Sequence, residues 1–247
     1  MKLLITIVIA MCFNSCSTVP TKSDLKFSNT QSWDKYFLVY RNEKFKTFAE
    51  LEHITLPPPP SNTSAQTDEE LLVLLTYQKN RTLVDINFIN NSIEFQTQVF
   101  NKLLLSDLIL KFKETHLIFQ MIHNDMSVLI AKQKETFDRV RPEYLSHKIR
   151  PSINTPAHPS YPSGHASMSY IYAEIFSMID PENKEIYLKS AYRISVGREI
   201  AGVHYPSDTE AGKALADQFT AIIIKNNDFL QQLNKAKIEF KKINQTF

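Results

Sequence analysis

"SYPSGHASMS", residues Ser160–Ser169, places a proline, a serine, a glycine and a histidine directly before an apolar run, and its reading decides the fold. Ser163 has the chemistry of an N-cap, so the pattern predicts a helix that starts there and runs to about Ile179. The chain has only 4 glycines, Gly164, Gly197, Gly202 and Gly212, all within one stretch; average usage would give roughly 17. Scarcity elsewhere predicts helices with few tight turns. Clustering predicts backbone that bends, or lies close to a ligand, in one region. Ordinary helix connections would also use glycine there.

Helical signals continue on both sides of this stretch. Upstream, "LPPPPS" (Leu56–Ser61) reads as a short polyproline II rod. Thr67 and Glu70 then have capping-box spacing, opening a helix through "DEELLVLLTYQKNRTLVDINFI". Further helical patterns cover about 94–105 and 113–140, the latter ending where Pro142 disfavours helix in the residue before it. Glu143 to Tyr161 reads as an irregular loop. Downstream, Asp180–Pro181 is read as the N-cap and first residue of a helix to about Arg198. Ser207 and Glu210 make a second capping box for a helix to about Lys225, and "DFLQQLNKAKIEFKKI" forms the last helix. No alternating strand run and no repeat is present. The expected fold is all-α: a single-domain helical bundle over 56–247, preceded by an irregular arm over 18–55.

The first 17 residues read as an export signal, with Lys2, an apolar run from Leu3 to Phe13, and small polar residues after it. "FNSC" resembles a bacterial lipobox in which Cys16 would be acylated; cleavage after Ser17 is the competing reading. Both place the chain outside the cytoplasm, in the periplasm, and the first anchors it to the outer membrane through lipid. The 2 cysteines lie in this segment, so no internal disulfide is expected. No later apolar run reaches the length of a membrane span. A net charge of +2 with 22% charged residues gives no dense basic run, so nucleic acid is not expected as the main partner.

Three polar clusters sit at predicted helix boundaries. Lys134 and Arg141, two turns apart, would share one face near the end of the third long helix. Ser163, Gly164 and His165 begin a helix, where N–H groups and the dipole favour an anion. Arg198, His204 and Asp208 form the third cluster; Pro206 disfavours helix at Tyr205, so His204 belongs to the loop and Asp208 to the first turn after it. Alone, each has an ordinary explanation: a solvated basic face, a capped helix, an N-terminal acid.

Together, "KETFDRVRP", "PSGH" and "REIAGVHYPSD" resemble the three-part signature of the PAP2 phosphatase and vanadium haloperoxidase superfamily. The "LPPPP" rod, the "AGKALADQF" segment and the ending "FLQQLNKAKIEF" are further similar to bacterial class A nonspecific acid phosphatases. The resemblance covers roughly residues 54 to 240. Three positions depart from it: Gly197 stands where relatives have serine, Glu143 where many have an aromatic, and "MIHND" (Met121–Asp125) where many have an acidic pair.

The resemblance implies a metal-independent acid phosphatase without a cofactor, acting on small phosphomonoesters over a broad substrate range, with homo-oligomers expected. A vanadium-dependent haloperoxidase is the alternative. Lys134, Arg141, Ser163, Gly164 and Arg198 would cradle the phosphate. His204 would be the nucleophile, Asp208 would orient it, and His165 would be the general acid and base. Gly164 would let the backbone approach the phosphate. His204 neutral and His165 charged imply an acidic optimum. His53, His116, His147 and His158 are read as surface or packing residues, and His123 as able to approach the site.

Overall fold

The computed structural model describes residues 21–92 and 112–244. The segment read as an export signal and the helix expected at about 94–105 lie outside the described residues. Among the described residues the elements are α1 (Lys35–Asn42), α2 (Ala65–Asn80), α3 (Leu83–Asn91), α4 (Lys113–Phe137), α5 (Pro142–Leu145), α6 (Gly164–Ile179), α7 (Lys184–Ile200), α8 (Pro206–Ile223) and α9 (Asn227–Asn244), with three short 3₁₀ turns and no strand.

The predicted central helix is the axis of the fold. α6 is buried on nearly every side, through residues such as Ile171, Ala173, Ile175 and Phe176. It packs against α7 and α8, with α4 beside it and α9 and α1 closing on α4. Burying each of its large apolar side chains contributes roughly 1.5–3 kcal/mol. Ser163 caps it as expected, its side chain accepting the Ala166 N–H.

Several boundaries differ from the sequence reading. α2 is capped by Ser64, which accepts from Thr67 N–H, while Glu70 faces inward; Thr67 and Glu70 do not form the expected box. The long helix expected after them breaks at Arg81–Thr82, because Thr82 and Asp85 make a genuine capping box that starts α3. α4 stops at Phe137, where Asp138 adopts a left-handed conformation with φ 46°. Pro181–Asn183 is a 3₁₀ turn, and α7 begins after it. α8 starts at Pro206, one residue before the expected cap; the acid that reaches back is Asp208, accepting the Tyr205 N–H at 3.0 Å.

The arm expected to be irregular carries α1 and two 3₁₀ turns and is built into the core through Phe27, Phe48 and Leu51. Asp125, fully buried on α4, accepts the N–H groups of Lys46, Thr47 and Phe48 at 2.8–2.9 Å. This acid of the "MIHND" stretch therefore anchors the arm. Phe27 N–H bonds the Asp138 carbonyl at 2.9 Å, so the arm also pins the turn that ends α4.

Candidate active site

The turn at Asp138 redirects the chain before Arg141, which is extended (φ −73°, ψ 153°) because Pro142 follows it. Lys134 and Arg141 therefore do not lie on one helix face, as two helical turns would have placed them. They meet by the chain leaving the helix instead. On the other side of the site, α7 ends with Gly202 at φ +81°, a conformation that suits glycine, and the chain reverses to present Val203 and His204. Tyr205 is extended and Pro206 opens α8, so Asp208 falls in its first turn, beside His204.

Arg141 joins these segments. It is fully buried, donating from Nε to the His158 carbonyl at 3.0 Å and from Nη1 to the Val203 carbonyl at 2.7 Å. Nη1 also lies 3.1 Å from His204 Nε2, and Nη2 3.0 Å from His158 Nδ1. A guanidinium only donates, so His204 Nε2 accepts, while His158 Nδ1 lies between Arg141 and the Pro159 carbonyl, 3.2 Å away. His204 Nδ1 lies 3.0 Å from Asp208 Oδ2. The carboxylate only accepts, so Nδ1 carries the hydrogen and Nε2 presents a lone pair. That is the tautomer an imidazole nucleophile requires.

The electrostatics agree with this arrangement. Burial, with Arg141 close by, holds the His204 imidazole well below its usual value, Asp208 opposing. The Asp208 carboxyl lies below the usual carboxylate range: burial would raise it, but Arg139 and His204 outweigh that. Burial pushes the Arg141 guanidinium down to about 9 and that of Arg198 to about 10, and both stay charged at neutral pH.

Lys134 is also fully buried. Its ammonium donates to the carbonyls of Pro159 at 2.6 Å, Ser160 at 3.1 Å and Pro162 at 2.7 Å. An ammonium has three hydrogens, so all of them hold the loop that leads into α6. What Lys134 offers a ligand in this geometry is its charge. Burial, then the nearby Arg141, bring its ammonium well below the usual lysine value.

Ser163 N–H donates to the Asp208 carbonyl at 2.9 Å, tying the start of α6 to the start of α8. Gly164 and His165, both half-buried, follow in the first turn, where backbone N–H groups have no partner inside the helix. A Cβ at Gly164 would meet the Ile130 side chain at an ordinary contact distance of 3.6 Å. Close approach is instead demanded of Gly212, where a Cβ would stand 2.7 Å from both Ala166 Cβ and the Ser163 carbonyl oxygen.

Arg198 is the unsatisfied member of the group. It is 1% exposed, and among the described residues its Nε and Nη1 have no hydrogen-bond partner. A buried guanidinium in that state is costly unless an anion completes it.

Three participants were not singled out by the sequence reading. His158, read as a packing residue, is buried against Arg141 on one side and the Phe37 ring, 3.9 Å away, on the other. Arg139 donates to Asp208 Oδ1 and Ser207 Oγ, each at 2.7 Å. Glu70 accepts from Arg139 at 3.0 Å. Conversely, His123 does not join: its Nδ1 pairs with the Tyr172 hydroxyl at 2.9 Å, about 16 Å along α4 from Lys134.

Residues 114–228 match the PAP2 superfamily. The non-specific acid phosphatase of Providencia stuartii is 32% identical over 131 residues, 51% of this chain and 53% of that protein. The lipid A 1-phosphatase of Rhizobium etli is 28% identical over 93 residues, 36% of this chain and 40% of that protein. The chain thus spans about half the length, or less, of these curated relatives. A crystal structure of a bacterial vanadium-dependent iodoperoxidase superimposes with a TM-score of 0.51 at 15% identity, covering 68% of this chain and 51% of that one. That likeness supports the helical fold. Among the described residues, no helix is long and apolar enough to cross a membrane.

Proposed function

We propose that this protein is a metal-independent acid phosphatase that hydrolyses phosphomonoesters through a phosphohistidine intermediate. The observation that carries the reading is Arg198, a buried guanidinium with donors unpaired among the described residues. Its charge acts on Arg141, which together with Asp208 sets the Nε2 lone pair of His204. Lys134, Arg141 and Arg198 surround the place where a spread negative charge develops, which is most of what phosphoryl transfer asks of a protein. The N–H groups at Ser163–His165 add the positive end of a helix.

In the first step His204 Nε2 attacks phosphorus, the ester P–O bond breaks, and the leaving oxygen takes a proton from His165. In the second, water attacks the phosphohistidine, giving its proton to His165, and the N–P bond breaks to release phosphate. Asp208 supports the positive charge that the imidazole carries between these steps. No step calls for a metal, and the cations beside His204, Arg141 and Lys134, disfavour a divalent ion there.

The experiment is a substrate panel across pH on the wild type and His204→Ala. It covers p-nitrophenyl phosphate, nucleotides, sugar phosphates and a phosphorylated lipid, with EDTA as a parallel arm. The proposal expects hydrolysis that resists EDTA and is lost in the variant. Hydrolysis retained by His204→Ala refutes it. Bromide oxidation with peroxide and vanadate, without phosphatase activity, would favour the haloperoxidase reading.

A further inference from the structure

The cluster described above does not end at Asp208. Arg139 Nη1 holds the other carboxylate oxygen at 2.7 Å, its Nη2 donates to Glu70 Oε2 at 3.0 Å, and Glu70 Oε1 accepts the Ser207 N–H at 2.8 Å. The guanidinium carbon also lies over the Tyr205 ring, 3.9 Å from its centroid. The side chains of Glu70, Arg139 and Asp208 are 7%, 3% and 0% exposed, so these charges are desolvated together.

Buried ion pairs of this kind rarely repay their desolvation as stability. This one has a different feature: it terminates on His204. Charge alternates along it, from Glu70 to Arg139 to Asp208 to the imidazole. Arg139 alone would draw charge from the Asp208 carboxylate and weaken its hold on His204. Glu70 offsets that pull from α2, outside the segment that matches the PAP2 family.

We propose that Glu70 and Arg139 are positioning residues that set the orientation and the effective charge of the Asp208–His204 pair. This rests on the proposed role of His204, but its main readout does not. The other groups facing His204 are Arg141, His158 and Lys134, and those facing Asp208 include Tyr161 and Glu199. All are retained in the variants below.

The test is a titration of the His204 ring by NMR, without substrate, in the wild type, Glu70→Gln, Arg139→Gln and the double variant. Removing the negative charge of Glu70 disfavours imidazolium, so His204 should titrate lower by about 0.5–1 pH unit. Removing the positive charge of Arg139 should move it higher by a similar amount. The double variant should return close to the wild type. Turnover of p-nitrophenyl phosphate adds a second readout: kcat about tenfold lower in each single variant, KM within about twofold, and the acid limb displaced in the same opposite directions.

A merely structural pair would lower the melting temperature of both variants without opposite displacements of His204. Unmoved titrations, or displacements of one sign in both, overturn the proposal. If Glu70→Gln does not fold, the sign in Arg139→Gln decides. Opposite shifts in a wild type that hydrolyses no phosphoester would leave this inference standing and sink the phosphatase reading instead.

Discussion

Gly212 of α8 lies so close to Ser163, the N-cap of α6, that a Cβ at position 212 would stand 2.7 Å from the Ser163 carbonyl oxygen. The same Cβ would meet Ala166 Cβ at 2.7 Å and the Ser167 nitrogen at 3.0 Å. Two of these three neighbours are backbone atoms, so no side chain can rotate away. The missing methyl is what lets α8 bring Asp208 within reach of the Ser163 N–H.

Gly212→Ala should therefore cost about 1–3 kcal/mol, the usual range for overpacking. Activity should fall as well, because α6 and α8 carry opposite sides of the site. Chemical denaturation together with turnover checks this; unchanged stability would mean that the two helices adjust freely.

Arg198 should behave in the opposite sense. Replacing this guanidinium, whose Nε and Nη1 lack partners among the described residues, with methionine removes a desolvated charge, so Arg198→Met should melt a few degrees higher than the wild type in phosphate-free buffer. Its turnover should drop by about 10²–10³-fold. Inorganic phosphate should stabilise the wild type, by about 2.7 kcal/mol at a hundred times its dissociation constant, and should leave the variant largely unmoved. Scanning calorimetry with and without phosphate measures both effects.

His158 predicts how stability responds to acid. Burial, then the charges of Lys134 and Arg141, hold its imidazole well below the usual value, and the same holds for His204 through burial and Arg141. In the unfolded chain each takes a proton below about pH 6.5, whereas in the fold they do not. Protons thus favour unfolding. Stability should be fully present above about pH 6.5 and decline as pH falls toward the lower folded values. His158→Gln keeps an acceptor for Arg141 but removes one titrating group, so its decline should be shallower. Melting temperatures across the acid range decide this; parallel curves for the two proteins would contradict it.

The rate profile follows from the same groups. His204 stays neutral, and so nucleophilic, well into the acid range. Lys134 moves the other way in consequence: its lowered value means that rising pH removes a cation from the site earlier than for an ordinary lysine. With His165 acting as the charged acid, a bell with its maximum on the acid side of neutrality is expected for kcat/KM. A rate that climbs steadily through the alkaline range would not fit.

The fold was largely legible because its deciding element is local. Ser163, an apolar run and Asp180 are enough to place α6, and the last helix follows from its own periodicity. Motif order likewise brought Lys134, Arg141, Ser163, His204 and Asp208 together, though Arg141 reaches the cluster through the turn at Asp138 and not along a helix face. What stayed hidden depends on pairs far apart in sequence. Glu70 looked like a cap because its spacing from Thr67 is right; nothing local says that it faces Arg139 and Ser207. His158 and Asp125 could not be distinguished from surface polar residues, since their partners, Arg141 with Phe37 and the backbone at Lys46–Phe48, are set only by how the arm packs.

The account turns on whether phosphorus is ever bonded to His204. Rapid mixing with a radiolabelled phosphomonoester, quenching into alkali and peptide mapping measures this directly. The expected result is a base-stable, acid-labile label on the peptide that contains His204, formed and lost at rates that support turnover, and missing from His204→Ala. Turnover at the normal rate with no label, or with the label on another residue, would contradict it.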